Sequence, residues 1–119
     1  MLIVRIEHEN DGLGVFRSHV KNVDSLSTEL CESIYTRHIK FPTPNKDKKL
    51  GGILEDEFCA FKSGNQLKRW FTKKEITEII SVGFKIYLLD VKECKIGSSQ
   101  VLYRKENIIN KMNITELFI

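Results

Sequence analysis

An α+β fold is what this 119-residue sequence predicts, as one domain with a mixed or mostly antiparallel sheet of four to six strands and about three helices. Three observations lead there. Leu2 to Glu7 and Phe84 to Val91 alternate with the period-two rhythm of strands. Ser63 and Thr72 each open a helical run with the spacing of a capping box. Gly83 stands where helix must give way to strand, a position that favours a left-handed backbone.

The elements follow in order. In the opening strand Leu2, Val4 and Ile6 share one face, and Ile3, Arg5 and Glu7 the other. Glu9 to Gly14 is turn-rich, since Asp11-Gly12 tolerates positive φ, and Val15 and Phe16 return the chain to the core. A helix is expected over residues 24–38, with Leu26, Leu30, Ile34 and Tyr35 at helical spacing. Phe41-Pro42-Thr43-Pro44 ends it. Residues 42–57 form the longest irregular stretch, basic first, then Gly51-Gly52, then acidic. A loop of that length in a small domain is functional or poorly ordered. Phe58 to Phe61 is a strand, Gly64 to Phe71 a short helix and Thr72 to Val82 a longer one. Phe84 to Val91 is apolar on both faces beyond Ile86, the signature of a central strand. Gln100 to Tyr103 is its hairpin partner across a turn containing Gly97. Residues 104–119 are compatible with a short helix or a strand.

Composition excludes some classes. Met1 to Val4 is too short an apolar run for a signal peptide or a membrane span, so a cytosolic chain is expected. The three cysteines, Cys31, Cys59 and Cys94, show no Cys-x-x-Cys spacing, so neither zinc nor a disulfide framework is indicated. The net charge of +3 permits nucleic-acid binding without demanding it. Phosphate-cradling glycine loops and serine or cysteine triads are missing from the sequence.

Single residues carry both a chemical and a structural reading. Arg5 can clamp a phosphate or carboxylate, or pair with Glu7 at the surface. His8 suits acid–base work, although nothing near it in sequence orients it, and an exposed histidine is the simpler expectation; His19 and His38 carry less signal. Ser63 is fully explained as a helix N-cap. Lys68, Arg69, Lys73 and Lys74 surround Trp70 and Phe71, a pattern that can stack on bases and neutralise phosphates. At helical spacing the aromatics belong to the core and the cations to solvent.

Three pieces resemble the skeleton of the ADP-ribosyltransferase-like fold. They are Val4-Arg5-Ile6-Glu7-His8, Phe58-Cys59-Ala60-Phe61-Lys62-Ser63 running into a helix, and Gln100-Val101-Leu102-Tyr103. The resemblance covers about a third of the chain. It implies NAD as cofactor, with Arg5, Ser63 and Gln100 converging on one pocket. The sequence departs from the family at Gln100, where a catalytic glutamate is expected. Losing preorganised charge at such a point costs ~10²–10³ in rate. By size and Lys/Ile-rich composition the chain also resembles small accessory proteins of phages and mobile elements.

The reading that accounts for most residues is a small cytosolic binding protein. It would be a phage-type accessory or anti-defence inhibitor that occludes a host protein or ribonucleoprotein stoichiometrically, without a cofactor or a membrane. Lys46, Lys48, Lys49, Glu55, Asp56 and Glu57 of the long loop are its expected contact residues. One alternative is an NAD-dependent ADP-ribosyltransferase or NAD-binding derivative. Another is nucleic-acid binding through Lys68, Arg69, Lys73 and Lys74.

Overall fold

The computed structural model describes residues 1–14 and 47–119. The helix expected over 24–38, together with Val15, Phe16, Cys31 and Lys46, lies outside them. Eight elements run along the described chain: β1 (Leu2–His8), β2 (Glu57–Ala60), α1 (Gly64–Trp70), α2 (Lys73–Ser81), β3 (Phe84–Val91), β4 (Lys95–Ile96), β5 (Val101–Arg104) and β6 (Ile108–Asn113). Short 3-10 turns at Lys105–Asn107 and Thr115–Phe118 flank β6. The open question over residues 104–119 thus resolves as a strand between two turns.

The strands form two three-stranded antiparallel sheets, β1-β3-β6 and β2-β5-β4. Among the described residues the bridge from Val4 to Phe61 joins them. β3 is central, as its two apolar faces predict, and β1 pairs with it from Leu2–Asp90 to His8–Phe84.

Alternation along β1 separates two cores. Val4 and Ile6, with Phe84 and Ile86 of β3, pack against Leu67, Trp70, Phe71, Ile76 and Ile79 of the helical layer. Ile3, with Leu89 and Val91, packs against Ala60, Val101 and Tyr103 of the second sheet. Leu67, Ile79 and Ile86 are essentially buried, and each such side chain contributes about 1.5–3 kcal/mol relative to exposure. β1 therefore lies in the middle of a three-layer stack of helices, sheet and sheet.

Both helix starts follow the sequence, with one difference. Thr72 Oγ1 accepts from the Glu75 N–H at 3.2 Å, and Glu75 Oε1 accepts from the Thr72 N–H at 2.8 Å, a complete box. Ser63 Oγ accepts from the Gln66 N–H at 3.2 Å, but Gln66 Oε1 accepts from the N–H of Lys62, not of Ser63. An amide side chain is long enough to reach one residue further along an extended backbone.

His8 is a correction to the exposed residue that the sequence suggests. It is buried, with Nδ1 accepting from the Asn10 N–H at 3.2 Å and Nε2 placed 2.9 Å from the Val82 carbonyl. The proton must then sit on Nε2, which donates to Val82. Its ring meets Phe84 edge-on at 5.0 Å. The contact explains Gly83 twice over. Its φ is +102°, and a Cβ there would lie 2.5 Å from His8 Nε2. Gly83→Ala is therefore expected to destabilise by about 1–3 kcal/mol from backbone strain alone, with a further loss from displacing His8. A fall in the urea midpoint at unchanged slope checks this, and an alanine variant as stable as the parent contradicts it.

Candidate functional site

Arg5 and Glu7 point between the two sheets and are buried. Arg5 Nη1 donates to the Cys59 carbonyl at 2.6 Å, and Nη2 donates to the Gly12 carbonyl at 3.3 Å. Nε lies 3.6 Å from Glu7 Oε2. Glu7 Oε1 accepts from Lys111 Nζ of β6, and that ammonium also sits 4.3 Å over the Tyr87 ring. The guanidinium stacks 5.6 Å from the centre of the Phe58 ring. Buried charge is tolerated only when it is paired and hydrogen-bonded. Arg5 does pair with Glu7, but in the interior and not at the surface. Nη1 and Nη2 are engaged by the protein's own carbonyls, whereas buried Nε has only the ion-pair contact with Glu7 and no hydrogen bond.

Tyr103 lies in the same interior. Burial, with Glu7 acting in the same direction and Arg5 against it, pushes its phenol up to about 12. The folded state thus holds this proton more tightly than the unfolded chain, whose tyrosine titrates near 10. Stability from neutral Tyr103 is complete below about pH 10 and declines as pH rises toward about 12. Tyr103→Phe is expected to remove that alkaline loss. A phenolate absorbance titration of the Tyr103→Phe variant should lose a component that ionises at about 12 in the parent; loss of a component at about 10 instead would refute it.

Across the second sheet, a cleft of about 230 Å³ is lined by Glu57, Cys94, Lys95, Tyr103 and Arg104 among others. Glu57 belongs to β2 and is 2 % exposed, so it is not the loop contact residue expected from the sequence. Its Oε1 accepts from the Leu54 N–H at 2.8 Å, and Lys95 Nζ lies 3.0 Å from Oε2. Burial works to raise its pKa, but the Leu54 hydrogen bond, Lys95 and Arg104 outweigh it and hold the carboxyl below its ordinary 4.5. A carboxyl depressed in this way stabilises the fold fully above its unfolded value, and the contribution is lost as pH falls through the folded one. Glu57→Gln should flatten the acid limb of a stability–pH profile, and an unaltered limb would contradict the assignment. Burial raises the Cys94 thiol, with the N-terminal ammonium acting against it, so Cys94 lacks the thiolate character of a ready nucleophile.

The other predicted residues lie outside this cleft. Ser63 is exposed at the N-cap of α1. Gln100 is half-buried at the hairpin turn, where its carbonyl accepts from the Gly97 N–H at 2.9 Å. Neither they nor Arg5 line the cleft. Lys68, Arg69, Lys73 and Lys74 are exposed, while Trp70 and Phe71 are core. Trp70 Nε1 donates to the Ser99 carbonyl at 3.0 Å. Among the described residues no group of His, Cys, Asp and Glu is placed to hold a metal ion. No described helix is long and apolar enough to cross a membrane, which says nothing of a β-barrel.

The loop before β2 is well built. Asp47, which the sequence reading passed over, is buried. Its carboxylate accepts from the Lys49 N–H at 3.0 Å and the Ser98 N–H at 2.7 Å. Its carbonyl accepts from Leu50 and Gly51. At Gly97 a Cβ would lie 2.7 Å from both Asp47 Oδ2 and Leu50, so the hairpin and the loop fit only with glycine there. Lys48, Lys49, Leu54 and Glu55 remain exposed, and Asp56 pairs with Arg104 at 2.8 Å. Asp47 before two lysines and Gly51-Gly52 was the available signal, since aspartate accepts from the N–H two residues on.

Residues 1–115 match the family model described as bacteriophage T4 Y00F protein. The chain belongs to that phage protein family. No curated protein and no solved structure matches this Y00F-family chain. The family match bears on the phage resemblance and not on the ADP-ribosyltransferase one.

Proposed function

We propose that this Y00F-family chain is a phage accessory protein that binds a host protein stoichiometrically in the host cytosol and so occludes it. The observation that carries the reading is the loop of residues 47–56. It is irregular and exposed, yet a buried carboxylate clamps it to the β4–β5 hairpin. Leu54 is 52 % exposed between basic and acidic neighbours, and Ile96 on the hairpin adds a second exposed apolar side chain. A pre-ordered loop loses little entropy on docking. An apolar anchor ringed by charge is the composition of a binding patch. Arg5, Glu7, His8 and Glu57, the groups most suited to chemistry, are engaged inside the fold.

The contact set is accordingly Lys48, Lys49, Leu54 and Glu55, with Asp47 as the positioning residue. Substitutions at such exposed positions change stability by no more than about 0.5 kcal/mol. Wild-type protein is expected to draw one host protein from lysate as a complex of equal stoichiometry. The variant Lys48→Glu, Lys49→Glu, Leu54→Asp should leave that protein behind while melting as the parent does. Reversal of the lysines alone should chiefly slow association. Capture of the same protein, at the same ratio, by the triple variant would remove the loop from the mechanism.

A further inference from the structure

On the outward face of the helical layer every fully exposed charged side chain between residues 62 and 81 is a cation, and half-buried Glu78 is the one acid there that reaches the surface. Five of the nine exposed side chains between residues 62 and 77 are cations: Lys62, Lys68, Arg69, Lys73 and Lys74. The other four are hydroxyls or an amide. The one acid in the stretch, Glu75, is buried, and its Oε1 accepts from the Thr72 N–H. Five cations less one acid give the segment a formal +4, against +3 for the whole chain. The rest of the protein is thus close to neutral, and its excess positive charge is concentrated here. Among the described residues none of the five cations is in an ion pair. Lys68 and Arg69 project from α1, and Lys73 and Lys74 from the first turn of α2, just past a two-residue junction.

We infer that this face binds the phosphate backbone of duplex nucleic acid, independently of the loop of residues 47–56. A like-charged surface with unpaired lysines and hydroxyl donors matches a regular array of phosphates. The aromatics decide against single strands. Trp70 and Phe71 are core, with Trp70 Nε1 held by Ser99, and half-buried Phe118 already carries Lys68 Nζ at 5.8 Å from its ring centre, so the surface offers little platform for stacking bases. It also offers no fully exposed carboxylate, Glu75 being buried and Glu78 half-buried, and no inserted element to read base edges. Binding is then electrostatic and independent of sequence.

The test is fluorescence anisotropy with two short duplexes of unrelated sequence and one matching single strand, between about 50 and 200 mM salt. Both duplexes should bind alike, and the single strand no more tightly. The logarithm of affinity should change with the logarithm of salt with a slope of about −0.9 for each phosphate engaged, so about −4.5 if all five cations engage. Changing Lys68, Arg69, Lys73 and Lys74 to Gln should weaken binding at least about tenfold at the lowest salt and bring the slope toward zero. Lys48→Glu with Lys49→Glu should leave both unchanged, which separates this face from the loop. Circular dichroism and melting confirm the fold of each variant. Absence of binding at the lowest salt, an unchanged slope in the four-site variant, or tighter binding of the single strand overturns the inference. Equal binding of polyglutamate would also overturn it, since the face would then suit an acidic protein.

Discussion

Val4 and Phe61 exchange two backbone hydrogen bonds, at 2.8 and 2.7 Å, and on this seam the two sheets are joined. The Arg5 guanidinium reinforces it one residue along by donating to the Cys59 carbonyl. Because β1 pairs with β3 along one edge and with Phe61 along the other, it has no solvent-facing edge at that point. Because helices cover one of its faces and the second sheet the other, its residues from Ile3 to His8 are all interior. Arg5, Glu7 and His8 are thereby forced into the fold, and each must find a partner there. Breaking any one pair would strand a buried charge or donor, which is more damaging than the net worth of the pair.

That constraint sorts the polar residues into two populations. The interior set, Arg5, Glu7, His8, Glu57 and Tyr103, holds strands and sheets in register. The exterior set, on the loop of residues 47–56 and on the helical layer, is held more loosely: Asp56 pairs with Arg104 and Lys68 lies over Phe118, while Lys48, Lys49 and Glu55 are in no ion pair among the described residues. Asp47 connects the two populations: its buried carboxylate belongs to the frame, yet what it fixes is the geometry of exposed lysines. A rigid frame carrying an ordered surface loop is how small proteins combine stability with recognition.

Local signals were legible in the sequence and nonlocal ones were not. Period-two alternation gave β1 and β3, Ser63 and Thr72 marked both helix starts, and Gly83 marked the stop, because each depends on neighbours within four residues. His8 was misjudged because its partners, Val82 and Phe84, are some 74 residues away in sequence. Glu57 read as loop because a charged residue beside Glu55 and Asp56 looks solvated; only the antiparallel pairing with β5 and the approach of Lys95 bring it inside. The last strand had no legible period for a physical reason. β6 is an edge strand, exposed from Ile109 to Asn113, so neither face required apolar residues.

The same edge bears on how the protein can engage a partner. β6 exposes Ile109 and Met112 beside an outer edge that pairs with no strand among the described residues. An open edge of that kind invites addition of a partner's strand. Three features oppose it here. The ladder with β3 is broken by a bulge at Asp90/Val91, which twists the edge away from a flat template. Lys111 stands in the middle of the strand, drawn toward Glu7. Asn110 Oδ1 accepts from the Lys111 N–H at 3.1 Å, so a donor that strand addition requires is already engaged. A hydrogen-bonded extension of the sheet would have to displace each of these, whereas the contacts proposed for the loop of residues 47–56 and for the cationic helices use side chains already in place. The guarding of this strand thus favours the proposed recognition by side chains over sheet extension.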